Sequence, residues 1–425
     1  MTPEVKERIE QIRHGIVPEG YQKTKAGILP KDWSVYTIGE CLERVERPVS
    51  VQPNEMYTQI GIRSHGKGLF YKEPVSGESI GNKAVFWIEP DCFVLNIVFA
   101  WEQAIGKTTQ SEVGMIGSHR FPMYRPTGDT IDIDYLISYL MTKRGKDILE
   151  AASPGGAGRN RTLGQDRFLK SKIILPPLAE QRHIAEILTI QDKVIALKEK
   201  LLAEKQRQRK YLMQHLLTGK KRLPGFDGEW KTVRLGQISQ RIRERNHIGS
   251  TNVMTISAQF GLINQEEFFN KTIASDDKSN YFLLHRNDFA YNKSYSTGYP
   301  YGAIKRLTRY DSGIVSPLYI CFRIKRMVVS VDFMAHYFEA GLMNREIQAF
   351  AQEGARNHGL LNIAVEDFFN AKITLPPFEE QQAIAAILTT ADKEIDLLRL
   401  DLEQEKQKKK ALMQLLLTGI VRVNA

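Results

Sequence analysis

The sequence predicts an α+β fold in which two globular α/β domains are separated by two long helices that pair with each other. Three observations lead to this prediction. A segment in the middle of the chain is written again 200 residues later, and each copy has the composition of one long helix. The region before each copy is built from short apolar runs bounded by turn residues, which is typical of strands.

The repeat is long and has no gap. KIILPPLAEQRHIAEILTIQDKVIAL begins at Lys172, and KITLPPFEEQQAIAAILTTADKEIDL begins at Lys372. LMQHLLTG from Leu212 is answered by LMQLLLTG from Leu412. Solenoid repeats run to about 20–50 residues, so this period indicates two copies of a whole module. We therefore expect one half of the chain to repeat what the other half does.

Each copy predicts a single long helix. A double proline stands at 176–177 and again at 376–377, and proline suits the first turn of a helix but not its interior. No further Pro or Gly follows until Gly219 and Gly419, which stand where a helix C-cap is expected. At about 1.5 Å per residue, each helix would be roughly 60 Å long.

A seven-residue spacing of apolar positions favours helices wound on each other. Two separate surface helices on globular cores are the alternative. The polar stretches EKQRQRK from Glu204 and EKQKKK from Glu405 argue against it, because neither offers a face for a globular core. The positions predicted to pair the helices or to meet a partner are Leu188, Ile195, Leu202, Leu212, Leu388, Ile395, Leu402 and Leu412.

The block before each helix is not helical in pattern, and apolar runs starting at Val85, Cys92 and Ser316 predict strands. The blocks diverge from each other, but their edges match. LPKDWSVYTIGECL parallels FDGEWKTVRLGQIS, GAGRNRTL parallels GARNHGLL, and in the middle DCFVLN from Asp91 is similar to DFAYNK from Asp288. The predicted order is therefore variable block, long helix, variable block, long helix.

Composition limits the function classes. Lys and Arg exceed Asp and Glu by 59 to 49, a net charge of +10 that is compatible with nucleic acid or another polyanion. The three cysteines form no CxxC pair and predict reduced thiols in a cytoplasmic protein. The N-terminal residues are charged rather than signal-like, and no apolar run reaches the length of a membrane span.

Catalytic motifs are not found in the sequence. LLTGKKR contains a Gly-Lys pair but not the rest of a phosphate-binding loop, and no HExxH or clustered His/Cys set offers metal-ligand spacing. LPPF at 375–378 resembles the (Asn/Asp)-Pro-Pro-(Phe/Tyr) motif of amino-methyltransferases, but Leu375 cannot hold a target amino group. The chain is therefore predicted to be non-catalytic, with no metal site and no cofactor of its own.

The paired LPP(L/F)xEQ and LLTG motifs behind two divergent blocks resemble the specificity (S) subunit of type I restriction–modification systems. KTKAGILPKDW, GARN and NDFAYNKSYSTGYPYGAIKR are also typical of that family. The resemblance implies that each block is a target-recognition domain reading one half of a bipartite site in double-stranded DNA. It implies two helices packed as an antiparallel coiled coil, with pseudo-twofold symmetry, that set the gap between the half-sites.

The same resemblance implies partners. Two methyltransferase (M) subunits would dock on the helices, carry S-adenosylmethionine and methylate adenine, and a restriction/translocase (R) subunit could join them. The implied division is a first recognition domain with an N-terminal arm at 1–176, a spacer helix at 177–219, a second recognition domain at 220–376 and a second spacer helix at 377–425. A coiled-coil adaptor for proteins and a single-chain methylation enzyme remain the alternatives.

Polar residues in Gly-rich segments of the blocks are the candidates for DNA contact. Arg suits guanine, Asn suits adenine, and Lys more often meets phosphate. A solvated loop is the alternative for each of them, and the shared GAGRN and GARN edges could instead brace the helix start or contact phosphate. The candidates are Arg63, His65, Lys67, Arg159, Asn160, Arg161, Arg243, Arg245, Asn246, His247, Asn292, Lys293, Ser294, Tyr295, Arg356, Asn357 and His358.

Overall fold

The computed structural model describes residues 3–24, 27–155, 161–257, 260–269, 277–296, 298–353 and 361–423. The chain divides into two compact units, Met1–Lys198 with Asp401–Ala425 and Glu199–Leu400. Each long helix contributes one part of its length to each unit, because the divisions fall inside both helices. The units are described separately below.

The first unit is built on an antiparallel four-stranded sheet with strand order β11-β10-β13-β4, accompanied by two-stranded pairs. A strand at 34–37 pairs antiparallel with 172–175, so the start of the block meets the segment that leads into the first long helix. The strands are β1 (Tyr21–Thr24), β2 (Gly27–Pro30), β3 (Ser34–Thr37), β4 (Leu42–Val45), β5 (Met56–Tyr57), β6 (Ile60–Ile62), β7 (Leu69–Tyr71), β8 (Val75–Ser76), β9 (Val85–Trp87), β10 (Phe93–Leu95), β11 (Ile105–Lys107), β12 (Ile116–Ser118), β13 (Met123–Pro126) and β14 (Lys172–Leu175).

The helices of the first unit cover this sheet. Phe93, Leu95 and Tyr124 of the sheet share one buried cluster with α4 and α5. The same cluster takes in both long helices through Ile184 and Leu416. The helices are α1 (Pro3–Arg13), α2 (Ile38–Cys41), α3 (Gly77–Ile80), α4 (Ile133–Leu140), α5 (Lys143–Ala152), α6 (Gln165–Lys170) and α7 (Leu178–Leu216), with 3-10 turns at Ala100–Glu102 and Gln110–Glu112.

The second unit repeats this plan. Its antiparallel four-stranded sheet has the order β16-β23-β20-β21, and 231–234 pairs with 372–375 just as 34–37 pairs with 172–175. The strands are β15 (Lys231–Arg234), β16 (Ser239–Arg241), β17 (Met254–Ser257), β18 (Gly261–Asn264), β19 (Phe282–His285), β20 (Phe289–Asn292), β21 (Ala303–Arg306), β22 (Ser312–Val315), β23 (Ile320–Ile324), β24 (Gln352–Glu353), β25 (Leu361–Asn362) and β26 (Lys372–Leu375).

The core of the second unit is rich in aromatic rings. Tyr291 stacks on Phe368 with ring centroids 4.9 Å apart, and Phe289 stacks on Phe322 at 5.4 Å. Leu216 of the first long helix lies in the same cluster. The helices are α8 (Leu235–Ile238), α9 (Gln265–Phe269), α10 (Val331–Glu339), α11 (Asn344–Phe350), α12 (Val365–Asn370) and α13 (Phe378–Leu416).

The two long helices have the limits that the sequence predicts. Each spans 39 residues and begins directly after its double proline. Gly219 and Gly419 follow the ends with φ of 69° and 72°, the left-handed conformation that closes a helix and favours glycine. The strands predicted around Val85, Phe93 and Ile320 are confirmed.

The blocks contain helices as well as strands, as the predicted α/β class of the two domains requires. α4, α5, α10 and α11 lie inside them and pack on the sheets. The sequence does not locate these helices, because α4 and α10 are short and rich in Ile, Tyr and Phe, which also favour strands, so periodicity alone does not separate the two structures. The match of Asp91 with Asp288 is one residue out of register. Asp91 instead corresponds to Asn287, because these two take the positive φ, 53° and 76°, just before β10 and β20.

Within each unit the helices run antiparallel. In the first unit Gln191 donates to Glu405 at 2.7 Å, and Lys198 pairs with Asp401 at 2.7 Å. These contacts, Gln191 foremost and then Lys198, lower the pKa of Glu405 to about 2. In the second unit, Lys205 pairs with Glu394 at 2.6 Å, and Arg209 pairs with Asp392 farther along α7 but earlier on α13. These ion pairs are half-buried rather than fully removed from water, so each stabilises the structure modestly and mainly fixes the register of the two helices.

The predicted heptad positions supply the apolar part of this pairing. Leu188, Leu388, Ile395 and Leu402 are buried, and the other four are half-buried. Leu188 shares a cluster with Leu416 of the opposite helix, and Leu388 shares one with Leu216. The buried leucines therefore tie each helix start both to the other helix and to the core of its unit.

Candidate functional site

The Glu of each LPPxxEQ motif holds an arginine that follows the other long helix. In the first unit Arg422 donates to Glu180 through Nε at 2.7 Å and Nη2 at 2.8 Å, and also reaches Asp32. Trp33 Nε1 donates to the same carboxylate at 3.2 Å. This hydrogen bonding, to Glu180 foremost, raises the pKa of Arg422. A buried carboxylate that is hydrogen-bonded in this way has a structural role and does not act as a catalytic acid.

The second unit repeats this contact with two differences, of which one is that Arg222 donates to the carbonyl of Gly228 whereas Arg422 reaches Asp32. Arg222 donates to Glu380 through Nε at 2.6 Å and Nη2 at 2.7 Å, and its guanidinium lies 5.8 Å from the centre of the Trp230 ring. Among the described residues, however, Trp230 Nε1 is buried and has no hydrogen-bond partner. The motif therefore joins the start of one helix to the segment following the other in both units, on equivalent residues of the repeat.

The Gln of each motif ties the long helix to the block. Gln181 donates to the carbonyls of Thr130 and Pro176, both at 2.9 Å, and accepts from the amide of Asp132 at 2.9 Å. Asp132 is the N-cap of α4. Gln381 donates to the carbonyl of Pro376 and accepts from the amide of Ser330, the N-cap of α10. These amides fix the first turn of α4 and of α10.

Candidate residues of the first block lie around one turn. Arg63, His65 and Lys67 are exposed on the loop between β6 and β7. The amide of His65 donates to the carbonyl of Glu102 at 2.8 Å, so this loop is held against the 3-10 turn after β10. Arg161 lies over the ring of Trp101 in that turn, 5.4 Å from its centre. The structure thus brings Arg161 to the same 3-10 turn as the loop of Arg63, His65 and Lys67.

Residues 243–247 of the second block lie beside the start of β19. Arg245 lies over the Phe282 ring at 4.8 Å and donates to the carbonyl of Asn280. The amide side chain of Asn246 both donates to and accepts from the backbone of Ser250. His247 is exposed, and Arg243 is exposed with no ion pair among the described residues. Asn246 therefore has a local structural role, whereas the guanidinium of Arg243 is open to a ligand.

The second predicted group of this block follows β20. Asn292 accepts from the amide of Ser294 at 3.1 Å, and the carbonyl of Lys293 accepts from the amide of Leu361 at 3.1 Å. Tyr295 is 63% exposed. Within the described ranges no hydrogen bond or ion pair joins this group to residues 243–247. Arg159, Asn160, Arg356, Asn357 and His358 lie outside the described residues.

Other chemistry receives no support from the described parts of the chain. Nowhere in them do three His, Cys, Asp or Glu side chains meet as metal ligands would. All three cysteines are buried, and burial raises the pKa of Cys92 to about 11, which disfavours a thiolate. No helix in the described ranges is long and apolar enough to cross a bilayer.

The duplicated architecture has a match among known protein families. A family model for the type I restriction modification DNA specificity domain matches residues 30–205 and again residues 228–405. The chain belongs to this family. It is a type I restriction–modification specificity protein with two DNA-specificity domains, as the sequence resemblance predicts, and the predicted fold class is confirmed.

Relatives of the same family match along most of the chain. The putative type I restriction enzyme MjaX specificity subunit of Methanocaldococcus jannaschii is 25% identical over 446 residues, covering 95% of this chain and 97% of the relative. The solved HsdS subunit from Thermoanaerobacter tengcongensis has a TM-score of 0.53 at 20% identity, covering 92% and 98% of the two chains.

A third likeness comes from a structure described as the basis of complex assembly and conformational transition of the type I R-M system. It has a TM-score of 0.54 at 18% identity and covers 92% of this chain and 99% of that one. At these identities the two solved structures show the fold of the specificity family.

The two specificity domains use one backbone frame with different side chains. Pro48 forms an isolated bridge with Phe86, and Arg245 forms the equivalent bridge with Phe282. The next residue donates to the opposite strand in each domain, Val49 to Val85 and Asn246 to Tyr281, both at 3.0 Å. Two residues before each bridge stand Glu46 and Arg243. Arg243 and Arg245 are candidates from the sequence, but their correspondence to Glu46 and Pro48 is not visible there, because only the hydrogen bonds align the diverged blocks.

Proposed function

We propose that this chain is the non-catalytic specificity subunit of a type I restriction–modification complex, in which each specificity domain reads one half of a bipartite DNA site. The observation that carries the proposal is the duplicated specificity domain, at 30–205 and 228–405, on one repeated frame. A frame used twice with different side chains suits two readers of different half-sites, because base edges are read by side chains.

Side chains at equivalent positions of the two domains differ in charge, which supports the proposal that the domains read different half-sites. Where the second domain carries Arg243, the first carries Glu46, and where the second carries Arg245, the first carries Pro48. An arginine can form two hydrogen bonds to guanine, whereas a glutamate accepts from the amino group of cytosine. We propose Arg243 as a base-reading residue of the second domain and keep the remaining exposed candidates as predictions.

We propose that M subunits dock on the long helices. Leu197 and Leu397 occupy the same position of the repeat, and each is 67% exposed. Leu201 and Leu400, at 45% and 63%, extend the exposed apolar surface of each helix. Contiguous exposed apolar surface marks interaction sites. Because the surface occurs once on each helix, it supports two M subunits, each bringing S-adenosylmethionine to an adenine.

The remaining assignments are part of the same proposal. Residues 1–176 and 220–376 would form the recognition domains, with 177–219 and 377–425 as the helices that set the gap. An R subunit is a further partner, and the complex would act in the cytoplasm on double-stranded DNA. The chain itself would hold no cofactor, because S-adenosylmethionine would be bound by the M subunits.

The test is methylation by the full chain with and without its M subunit. Co-expressed with M, the chain should direct adenine methylation to one bipartite motif with a fixed gap, read by methylome sequencing. M alone and the chain alone should leave the DNA unmethylated. A coiled-coil adaptor would bind M without directing methylation to any motif, and methyl transfer by the isolated chain would make it an enzyme, so either result contradicts the proposal.

A further inference from the structure

The two specificity domains share a turn that the sequence does not reveal. After β10 the side chain of Asn96 accepts from the amide of Val98 at 3.1 Å. After β20 the side chain of Asn292 accepts from the amide of Ser294 at 3.1 Å. Each asparagine thus stands at the end of the equivalent central strand and folds the chain in the same way.

A second contact places both turns identically within their domains. The carbonyl of Ile97 accepts from the amide of Leu163 at 2.8 Å, and the carbonyl of Lys293 accepts from the amide of Leu361 at 3.1 Å. Each carbonyl belongs to the residue after the asparagine, and each leucine follows the GARN-type edge. The asparagine and the two residues after it therefore correspond in the two domains, although the rest of each turn differs in length.

Three residues after the asparagine, both turns carry an exposed aromatic ring. Phe99 is 45% exposed and Tyr295 is 63% exposed. A large ring left in water at the same position of both domains is not explained by the fold of either domain, since it adds to neither core. The shared position points to a shared ligand.

The backbone amide and the backbone carbonyl of Phe99 are both hydrogen-bonded. Its amide donates to Asn96 at 3.0 Å, and its carbonyl accepts from Glu102 at 3.0 Å and Ala104 at 3.1 Å. The turn is also fixed to the end of α4, where buried Gln103 donates to the carbonyl of Leu140 at 2.8 Å. An aromatic ring on a fixed backbone loses little entropy on binding, which favours a contact surface.

The turn after Tyr295 is anchored to the equivalent helix. Ser296 and Tyr299 exchange two backbone hydrogen bonds, of 3.3 and 2.8 Å. The hydroxyl of Tyr299 then donates to Glu339 at the end of α10 at 2.6 Å, and Lys305 pairs with the same carboxylate. Both aromatic residues therefore stand beside a turn that the end of α4 or of α10 holds in place.

Cationic groups accompany both rings. In the first domain Arg161 lies over Trp101, two residues after Phe99, and the loop of Arg63 and Lys67 is hydrogen-bonded to the same turn through His65 and Glu102. In the second domain Lys293 belongs to the turn itself. Aromatic rings beside cations suit double-stranded DNA, whose phosphates meet the charge while the apolar edge of a base, such as a thymine methyl group, meets the ring.

We propose that Phe99 and Tyr295 are equivalent DNA contacts, each a fixed aromatic ring that lies against a base of the half-site its own domain reads. The inference rests on the proposed function and names a specificity-determining position in each domain. Phe99 offers an apolar surface, which suits the methyl group of thymine in the major groove. Tyr295 adds a hydroxyl that can hydrogen-bond to a base edge.

The test uses the full chain in complex with its M subunits and four variants, Phe99→Ala, Phe99→Tyr, Tyr295→Ala and Tyr295→Phe. Affinity for a cognate duplex is measured by titration, and base preference by methylome sequencing. Each alanine variant should lose about ten- to a hundred-fold in affinity, since the loss of one matched base-pair contact in a duplex site costs about that factor. Phe99→Ala should relax the half-site of the first domain only, and Tyr295→Ala that of the second only. The two variants that keep a ring should retain most of the affinity.

Matched controls come from exposed apolar residues at the other end of the same sheets. Val113 is 52% exposed beyond β11, and Met327 is 95% exposed beyond β23. Val113→Ala and Met327→Ala should bind DNA as the unaltered complex does. The melting temperature and the bound M subunits should stay unchanged in all six variants, because none of the four side chains that they alter is buried.

Three results would overturn the inference. They are alanine variants with unchanged DNA affinity, a loss shared equally by both half-sites, and a loss accompanied by release of M, which would make the rings a protein contact. Phe99→Tyr as damaging as Phe99→Ala would likewise exclude a ring contact. If the unaltered complex reads no bipartite motif, the proposed function itself fails, and the variants are not needed to show it.

Discussion

Replacing the buried glutamine of the LPPxxEQ motif by alanine should destabilise the domain without changing the DNA sequence that is read. Gln181 is fully buried and makes three hydrogen bonds to backbone groups, whereas Gln381 is 3% exposed and makes two. Alanine removes these partners and leaves the backbone groups unpaired, with the carbonyls of Pro176 and Pro376 in buried contacts and the other groups part-buried. The role of the motif in the structure is to attach the long helix to α4 or to α10.

The magnitude follows from the number of groups left unpaired. A buried polar group without a partner costs about 1–3 kcal/mol. Because several of these groups are part-buried, the lower end of that range applies, and Gln181→Ala should cost about 3 kcal/mol and Gln381→Ala about 2 kcal/mol in the free energy of unfolding of their units. Against a typical domain stability of about 5–15 kcal/mol, both losses are large.

Hydrogen exchange of the full chain, read by mass spectrometry, separates the two units. Gln181→Ala should speed exchange in α4, and Gln381→Ala should speed it in α10 but by less. Gln407→Ala is the control, because Gln407 is exposed and bonds only Glu403 on its own helix. If the base preference in the methylome changed while hydrogen exchange in α4 and α10 stayed unaltered, the glutamine would not attach the helix to its domain. The motif would instead contact DNA.

Three further predictions concern the helices. Matched insertions of seven residues after Leu202 and after Leu398 add about 10 Å of helix, so the gap in the methylated motif should lengthen by about three base pairs while both half-sites persist. Methylome sequencing measures the motif, and altered bases in either half-site would contradict the prediction. Leu197→Glu or Leu397→Glu should each lower the M stoichiometry from two to one by native mass spectrometry, and retention of two M subunits in both variants would exclude these surfaces. The pKa of Glu405 is about 2 instead of an ordinary 4.5, so the ionised carboxylate stabilises the paired helices above about pH 4.5, and this stabilisation is lost as the pH falls towards 2. Glu405→Gln should remove this part of the pH dependence of unfolding, and an unchanged acid transition would contradict the prediction.

The helical part of the fold could be predicted because local signals agree there. The double prolines, the absence of Gly and Pro up to Gly219 and Gly419, and the apolar heptads all indicate the same two helices. The small helices α4 and α10 could not be predicted. Each has eight or nine residues, and tertiary burial outweighs their strand-favouring Ile, Tyr and Phe.

The candidate site could be predicted only in part, because it depends on correspondence between diverged blocks. Polar loop residues such as Arg63 and Arg243 are visible in one sequence. The equivalence of Asn96 with Asn292 is not, since the apparent sequence match of Asp91 with Asp288 is one residue out of register, and a slip of one residue turns a strand over. Phe99 was missed for that reason, and only the hydrogen bonds identify it.

The most direct test of the central claim exchanges one specificity domain. Residues 225–370 are replaced by the second block of another member of the family, and the methylome is sequenced with M present. The half-site read by the second domain should change to that of the donor, while the gap and the other half-site, read by residues 30–170, should persist. A change in both half-sites, or in the gap alone, would contradict the claim that each domain reads its own half-site and that the helices set the distance.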